Sequence, residues 1–310
     1  MARVIALGEV LIDFTPAGHS ERGRLLYECN PGGAPANMLS CLAQFGHDCR
    51  MIGCVGADAF GDEIVGAIAG AGVDCRYMMR SQTAPTTLAV VSLNAEGDRS
   101  FSFYRENCAD VSIAPEHITE DMLEGVSLVH VGSLSLTHEP VRSATFRLLD
   151  LAREKGIAVS YDPNYRPLLW KSADQARDGM KSILPLADIV KVSDEEAVFL
   201  TGIEDPFEAA EALMKAHSNI RILFMTCGAQ GSAYCLPSGE KGRVSGLSGA
   251  QIVDTTGAGD YFFGGAVSRL LEEEAGRPFT AQAAQEACMR GNECGYRVAQ
   301  VRGALGVKIR

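Results

Sequence analysis

Short apolar runs rich in Val, Ile and Leu alternate along this chain with longer segments of helical hydrophobic spacing. The runs cover residues 4–7, 51–55, 128–131, 158–161, 189–192 and 222–226, and the helical segments cover residues 36–45, 63–71, 140–155, 207–216 and 281–298. Such runs are typical of parallel strands buried on both faces. The alternation predicts an α/β fold, an open, mainly parallel sheet with helices on both sides. Ligands of such sheets bind beyond the carboxyl ends of the strands.

One region departs from this alternation. Residues 86–93 and 99–104 flank a turn at residues 94–98, which predicts a β-hairpin. Together with residues 14–27, the hairpin is suited to form a small sheet that closes over a pocket and excludes water. Because the sequence has no internal repeat and no long linker, we predict one domain over residues 1–310, with lid segments at about 14–28 and 86–105.

The acidic composition restricts the partners that the chain can bind. It has 28 Lys and Arg residues against 39 Asp and Glu residues, a formal net charge of −11. Nucleic acids and anionic membranes bind basic surfaces, so we expect neither partner. The ten cysteines form no C-x-x-C pair and the six histidines lack zinc-ligand spacing. Glu9 and Asp13 interrupt the first apolar run, whereas a signal peptide has a continuous apolar region. We therefore predict a cytoplasmic protein.

A glycine-rich run with one carboxylate, Gly257-Ala258-Gly259-Asp260, precedes an apolar helical segment. Backbone amides in such a run approach a phosphate closely, and the positive end of the helix dipole favours an anion. A carboxylate would repel that anion, so Asp260 makes chemical sense as a general base that activates an attacking hydroxyl. Taken alone, the same string is also explained by a tight turn in which Asp260 caps the helix.

Residues 30–37, of sequence Asn-Pro-Gly-Gly-Ala-Pro-Ala-Asn, precede another helical segment. Gly32 and Gly33 let the backbone wrap around a polar ligand, and Asn37 offers both a donor and an acceptor to a hydroxyl. Asp13 follows the first strand and adds a carboxylate that only accepts hydrogen bonds, so the set suits the paired hydroxyls of a sugar. A Pro-Gly turn before an ordinary helix explains the segment equally well.

These segments resemble the two signatures of the ribokinase-like, PfkB-type carbohydrate kinases. The matching residues are 32–37 with 53–61, and 254–260 with 264–266, in the right order over nearly the whole chain. Residues 8–13, 103–105, 162–167 and 187–196 resemble the fructokinase branch. The resemblance implies a ribokinase-like three-layer αβα sandwich with a mainly parallel central sheet and a small β-sheet lid. It also implies an ATP-dependent sugar kinase.

The resemblance further implies a role for individual residues. Asp260 would be the catalytic base, beside an anion hole of Gly257, Ala258 and Gly259. The residues that would hold the sugar are Asp13, Gly32, Gly33, Asn37, Arg105 and Arg166. The residues that would contact ATP are Lys191, Thr226, Gly228, Gly231, Gly257, Gly259 and Asn292.

Four of these residues have simpler explanations. Thr226 can be explained simply as the cap of a turn, and Asn292 fits equally well as a satisfied polar residue within a helix. An isolated arginine usually pairs with a surface carboxylate, and this applies to Arg105 and to Arg166.

The resemblance implies two kinds of cation. Magnesium would be held with the help of Glu196, although the family's Asn-x-x-Glu pattern is replaced here by Ser193-Asp194-Glu195-Glu196. Ser-x-x-Glu also matches a helix capping box, and both interpretations can hold together. A monovalent cation, usually potassium, would take oxygen ligands from Asp254 and Thr256.

Fructose, converted to fructose 6-phosphate, is the substrate that the resemblance favours. A 2-keto-3-deoxygluconate kinase is the nearest alternative, because Arg105 is suited to meet the carboxylate of an acidic sugar. Another sugar or nucleoside kinase of the family is a further one. Asp260 and the glycine loop argue against a catalytically silent regulatory relative. Lid sheets of this family often pair between chains, which implies a homodimer.

Overall fold

The computed structural model describes residues 1–93, 99–274 and 276–309, and the predicted hairpin turn at residues 94–98 lies outside these ranges. The described residues contain thirteen strands: β1 (Arg3–Leu7), β2 (Leu11–His19), β3 (Leu25–Gly32), β4 (Asp48–Gly56), β5 (Asp74–Ser81), β6 (Thr87–Leu93), β7 (Arg99–Tyr104), β8 (Leu128–Gly132), β9 (Ala158–Asp162), β10 (Ile189–Ser193), β11 (Ile222–Thr226), β12 (Gly231–Cys235) and β13 (Lys241–Ser245). Eight α-helices accompany them: α1 (Ala34–Gln44), α2 (Ala59–Gly70), α3 (Val141–Glu154), α4 (Ala173–Ile183), α5 (Asp194–Thr201), α6 (Pro206–Ala216), α7 (Ala258–Leu270) and α8 (Ala281–Val298). None of these helices is long and apolar enough to cross a lipid bilayer.

Nine strands form the central sheet, in the order β13-β12-β11-β10-β9-β8-β1-β4-β5. The pairs from β11 through β5 are parallel, and β12 and β13 add an antiparallel edge. All six predicted apolar runs lie in strands of this sheet. The strands β5, β12 and β13 were not predicted. They form the two edges of the sheet, and β13 alternates between exposed and half-buried residues rather than showing a buried run.

Side chains on the two faces of the central sheet belong to two separate cores. Ile5 and Leu7 of β1 pack in one core with α3, α4, α5 and α6, whereas Val4 and Ala6 pack in the other with α1, α2, α7 and α8. Successive residues of a strand point to opposite faces, so each helix layer takes every second residue. The predicted three-layer α/β fold is confirmed.

A second sheet of four strands, in the order β3-β2-β6-β7, stands apart from the central one. As predicted, β6 and β7 pair antiparallel, and β2 joins β6 in parallel register with Asp13 opposite Ala89. The sheet also takes in residues 11–13 and 29–32, which extend beyond the predicted lid segment at 14–28. The chain enters and leaves this sheet at four connections, after β1, β3, β5 and β7.

Helix α7 packs between α1 and α8 through two adjacent glycines. A Cβ atom on Gly264 would lie 2.9 Å from the carbonyl oxygen of Met38 in α1. One on Gly265 would lie 2.6 Å from Cys294 Sγ and 3.0 Å from the carbonyl oxygen of Arg290 in α8. The missing side chains allow the start of α7 to sit beside the start of α1, which positions the site described below.

We predict that Gly265→Ala destabilises the protein by about 1–3 kcal/mol, because the added methyl group overpacks the contact between α7 and α8. Gly66→Ala is the matched control, since Gly66 is an exposed residue of α2 and a Cβ atom there would have no other atom within 4 Å. That change should stabilise the protein by about 0.5–1 kcal/mol through helix propensity. Urea unfolding of both variants measures the difference, and equal shifts would contradict the packing argument.

Candidate active site

The start of α7 presents backbone amides with no internal acceptor. Gly257 precedes the helix with φ = 75°, and the amide of Ala258 donates to the carbonyl of Thr255 at 3.1 Å. Among the described residues, none accepts a hydrogen bond from the amides of Gly257, Gly259 or Asp260. Of the three predicted anion-hole amides, that of Ala258 is therefore used within the turn. The amide of Asp260 takes its place as an open donor at the positive end of the helix dipole.

Glycine is required at two positions of this turn for different reasons. The positive φ of Gly257 favours glycine, and a Cβ atom there would overlap that of Ala304. A Cβ atom on Gly259 would lie only 3.1 Å from Lys191 Nζ. The glycine signature thus reflects close approach by a C-terminal segment on one side and by a lysine on the other.

A hydrogen bond joins the two predicted motifs. Asn37 Nδ2 donates to Asp260 Oδ2 at 2.9 Å, across 223 positions of sequence. Asn37 is 4% exposed, and its Oδ1 atom is buried without a partner among the described residues. An unsatisfied buried acceptor is costly and unusual in a folded protein. A ligand hydroxyl next to Asp260 would satisfy it.

The environment of Asp260 suits a base that works near neutral pH. Burial raises the pKa of Asp260 to about 6, and the negative charge of Asp162 acts in the same direction. The hydrogen bond from Asn37 and the positive charges of Lys191 and Arg166 oppose this rise. The side chain nevertheless remains partly exposed, so that a substrate can reach it. A carboxylate with a pKa near the working pH is the most effective general base.

Asp13 contributes a second carboxylate to the same place. Burial raises its pKa to about 6, Arg166 lowers it, and the charges of Asp254 and Asp260 raise it further. A Cβ atom on Gly32 would lie 3.1 Å from Asp13 Oδ2, so glycine leaves this carboxylate room. The structure therefore brings Asp13, Gly32, Asn37 and Asp260 together, although they are far apart in the sequence.

A buried ammonium group lies beside the open amides. Lys191 Nζ is 3.1 and 3.0 Å from the two carboxylate oxygens of Asp162. Burial disfavours the charged form, but the carboxylates of Asp162, Glu196 and Asp260 together raise the pKa of Lys191. The lysine therefore stays positively charged next to Gly259. Sequence reasoning missed Asp162 as a partner, although its place at the end of β9 was visible in the Asp-Pro-Asn segment.

A cavity of about 490 Å³ opens on the other side of Gly259. It is lined by five of the residues predicted to contact ATP: Thr226, Gly228, Gly231, Gly259 and Asn292. Leu247, Ile252 and Phe262 add apolar walls. Asn292 Nδ2 donates to the carbonyls of residues 244 and 245 at 3.2 Å each, so Asn292 is a satisfied helix residue that also faces the cavity.

Glu196 forms the capping box of α5. Its Oε2 accepts from the amide of Ser193 at 2.7 Å, and the amide of Glu196 donates to Ser193 Oγ at 3.0 Å. Its Oε1 accepts from the amide of Tyr165 at 2.7 Å. The capping interpretation is confirmed. Each carboxylate oxygen retains a second lone pair, which leaves room for a water molecule but favours no direct metal bond.

Asp254 stabilises the loop before α7 through hydrogen bonds to its carboxylate. Its Oδ1 accepts from the amide and the hydroxyl of Thr256, at 3.0 and 2.8 Å, and its Oδ2 accepts from the amide of Gly303 at 3.4 Å. The loop that carries Asp254 and Thr256 is thereby tied to the C-terminal segment that also meets Gly257.

Arg105 lies within a buried hydrogen-bond network. Its Nε donates to Asp110 Oδ2 at 2.7 Å, and its two terminal nitrogens donate to Thr137 Oγ1 at 2.8 Å and to the carbonyl of Leu134 at 3.0 Å. The side chain of Thr87 donates to the other Asp110 oxygen at 2.5 Å. All three guanidinium nitrogens are therefore used inside the fold. The pairing of this arginine with a carboxylate is buried, not at the surface.

Arg166 is the opposite case. Its side chain is exposed, and its Nη1 donates only to the carbonyl of its neighbour Tyr165, at 3.1 Å. No ion pair within 4 Å joins it to a carboxylate of the described residues. Its charge nevertheless lowers the pKa values of both Asp13 and Asp260. Arg166 is therefore the exposed cation that faces this acidic site.

We predict that Asp260→Asn stabilises the ligand-free protein at pH 8. The pKa of this carboxyl is about 6 in the fold against 3.8 ordinarily, so its contribution to stability is lost as pH rises from about 4 to 6. Removing the charge should restore about 1–2 kcal/mol at pH 8, after allowance for partial exposure, and much less at pH 4.5, where the carboxyl is still largely protonated in the fold.

Asp58→Asn is the control with the opposite sign, because hydrogen bonds from Thr86 and from the amide of Gly61 lower the pKa of Asp58 despite its burial. That variant should lose stability at pH 8. Calorimetric Tm values of both variants at pH 4.5 and pH 8 provide the measurement. A lower Tm of Asp260→Asn at pH 8 would show that its ionised form is not disfavoured in the fold.

Comparison with known proteins gives a consistent picture. The family model for pfkB family carbohydrate kinase matches residues 1–308. Fructokinase-1 of Oryza sativa subsp. japonica is 37% identical over 304 residues, which cover 97% of this chain and 93% of that protein.

Two solved structures are similar over nearly their full length. A fructokinase double mutant from Vibrio cholerae O395, bound to fructose, ADP and a potassium ion, has a TM-score of 0.86 and 31% identity, covering 99% of this chain and 95% of the other. A fructokinase from Xylella fastidiosa with bound ATP has a TM-score of 0.86 and 28% identity, covering 98% and 94%.

Proposed function

The chain belongs to the pfkB family of carbohydrate kinases, and on that premise we propose that it transfers the γ-phosphate of ATP to fructose, giving fructose 6-phosphate. One observation carries the proposal. The carboxylate of Asp260 lies at the open amides of α7 and is hydrogen bonded to Asn37, whose buried Oδ1 has no donor among the described residues. The names of the rice and bacterial relatives support fructose as the sugar.

The chemistry follows from the positions of these groups. Asp260 accepts the proton of the 6-hydroxyl while the sugar oxygen attacks the γ-phosphorus, and the bond from phosphorus to the ADP oxygen breaks in line. The amides of Gly257, Gly259 and Asp260 and the ammonium of Lys191 face the negative charge on the transferring group. The proton then leaves Asp260 for solvent, and ADP and the phosphorylated sugar dissociate.

The charges around the site favour a neutral sugar over 2-keto-3-deoxygluconate. Asp13 and Asp260 contribute two carboxylates, and the guanidinium of Arg105 is already neutralised by Asp110. Lys191 is paired with Asp162, which leaves the exposed Arg166, among the described residues near Asp13 and Asp260, to meet a carboxylate. A ketohexose instead offers several hydroxyls to Asp13 and to Asn37, each of which accepts hydrogen bonds.

The 490 Å³ cavity is the proposed site of ATP. Leu247, Ile252 and Phe262 give it apolar walls suited to a flat base, while Gly259 marks the end nearest the open amides. Magnesium bound with ATP would neutralise phosphate charge. Glu196 fits a link to magnesium through water, because both its oxygens already accept backbone hydrogen bonds.

Glu196→Gln should then raise the magnesium concentration needed for half-maximal activity, and an unchanged requirement would remove Glu196 from this role.

Two further proposals concern potassium and assembly. Asp254 and Thr256 would hold a monovalent cation beside the anion site, and activity in potassium compared with tetramethylammonium salts tests this.

Exposed apolar side chains on lid strands, Leu25, Tyr27, Phe101 and Tyr104, would pair with a second copy of the chain. Sedimentation equilibrium of the wild type and of Tyr27→Glu tests for a homodimer, and a monomeric wild type would exclude it.

We predict that Asp260→Asn lowers kcat for fructose by about a thousandfold or more, because the variant keeps the shape of the site and loses the base. Fructose and ATP binding, measured by calorimetric titration, should change little. Near-normal turnover would show that another group accepts the proton.

The substrate itself is tested with fructose, 2-keto-3-deoxygluconate, ribose and a nucleoside assayed side by side with the wild-type protein. We expect the highest kcat/KM for fructose. Dominant turnover of the acid would replace fructose by 2-keto-3-deoxygluconate, and the absence of turnover with every sugar would favour a regulatory role.

A further inference from the structure

A buried glutamate joins two of the four connections between the central sheet and the lid sheet. Glu9 follows β1, and its Oε1 accepts a hydrogen bond from the amide of Ala34 at 3.0 Å. Ala34 is the first residue of α1 and follows β3. Glu9 is 3% exposed. One side chain thus ties the point where the chain enters the lid to the point where it returns.

Helix α1 has no cap of its own. Its N-cap residue is Gly33, which has φ = 131° and no side chain to accept from the first amides. A Cβ atom on Gly33 would overlap the carbonyl oxygen of Glu9, and one on Gly8 would lie 2.5 Å from Pro35 Cγ. The backbone of residues 8 and 9 is therefore pressed against the start of α1. The carboxylate of Glu9 supplies from a distance the acceptor that a local Ser or Asp usually provides.

The turn that Glu9 caps carries Asn37. The amide of Asn37 donates to the carbonyl of Gly33 at 3.0 Å, which closes the first turn of α1. At the same position the side chain donates to Asp260 and leaves Oδ1 buried without a partner among the described residues. Any shift of the first turn would move Asn37 away from the sugar and from the base together.

We propose that Glu9 is a positioning residue for the acceptor sugar, which acts by fixing the first turn of α1 so that Asn37 faces both the sugar and Asp260. The inference rests on the proposed function, and it gives a role to a residue that touches no reacting atom. A cap that contributes only to stability is the competing explanation. The two explanations differ in one expected result. Only the positioning role predicts that the loss of Glu9 raises KM for the sugar without raising KM for ATP.

Three single variants distinguish them in steady-state assays. Glu9→Ala removes the acceptor, and we expect KM for fructose to rise by roughly tenfold or more, with KM for ATP within about twofold of wild type. Glu9→Gln keeps an oxygen for the amide of Ala34 and should recover most of the loss. Asp205→Ala is the matched control, because Asp205 caps α6, on the opposite face of the central sheet from α1, through bonds of 2.9 Å. It should lower Tm and leave both KM values unchanged.

Ala34→Pro provides an independent test if Glu9→Ala does not fold. Proline is tolerated at the first position of a helix and removes the amide that Glu9 binds. The variant should raise KM for fructose by roughly tenfold or more and leave KM for ATP within about twofold of wild type.

These measurements test the proposed function and the role of Glu9 separately. Wild-type protein without fructose turnover overturns the proposed function. Wild-type turnover combined with an unchanged fructose KM in Glu9→Ala, or in Ala34→Pro if only that variant folds, overturns the role of Glu9 alone. Equal rises in the KM values for fructose and ATP, or failure of Glu9→Gln to recover the fructose KM, would also overturn it.

Discussion

The hydrogen bond between Asn37 and Asp260 is the contact on which the organisation of this protein depends. It joins the first turns of α1 and α7, whose residues are 223 positions apart. That contact requires α7 to approach α1 closely, which Gly264 permits by presenting no side chain to Met38. Parallel strands place their carboxyl ends along one edge, so β9, β10 and β11 end near these turns. Fold and site are therefore consequences of the same packing.

The second constraint is electrostatic. A chain with a formal charge of −11 has to bind a highly charged phosphate group beside several of its own carboxylates. We propose that two groups make this possible: the open amides at the start of α7, and the ammonium of Lys191, which is paired with Asp162. Both act over short distances where water is largely excluded, so they are strong locally without changing the overall charge. The same exclusion of water raises the pKa values of Asp13 and Asp260 and prepares them for a ligand.

Local sequence patterns predicted the central strands and the place of Asp260, because buried strands and glycine turns leave signals within a few residues. Pairings across the chain leave no such signal. The ion pair of Lys191 with Asp162 and the cap of α1 by Glu9 join residues 29 and 25 positions apart, and the pair of Arg105 with Asp110, although only five positions apart, follows no helix or strand period. The amide of Ala258 could not be assigned either, since only the geometry of the turn directs it to Thr255. Family resemblance predicted which residues form the site, and the structure gives the contacts of those residues within the fold.

The central claim is that Asp260 must be ionised to accept the proton of the sugar. The pH dependence of kcat/KM for fructose at saturating ATP tests it most directly, because the sugar does not titrate between pH 5 and 8. With a pKa of about 6 for Asp260, kcat/KM should fall about tenfold per pH unit below that value. Asp13→Asn should show the same fall in kcat/KM at low pH, which distinguishes protonation of Asp260 from protonation of its acidic neighbour Asp13. A profile that stays flat from pH 7 to pH 5 would contradict the account.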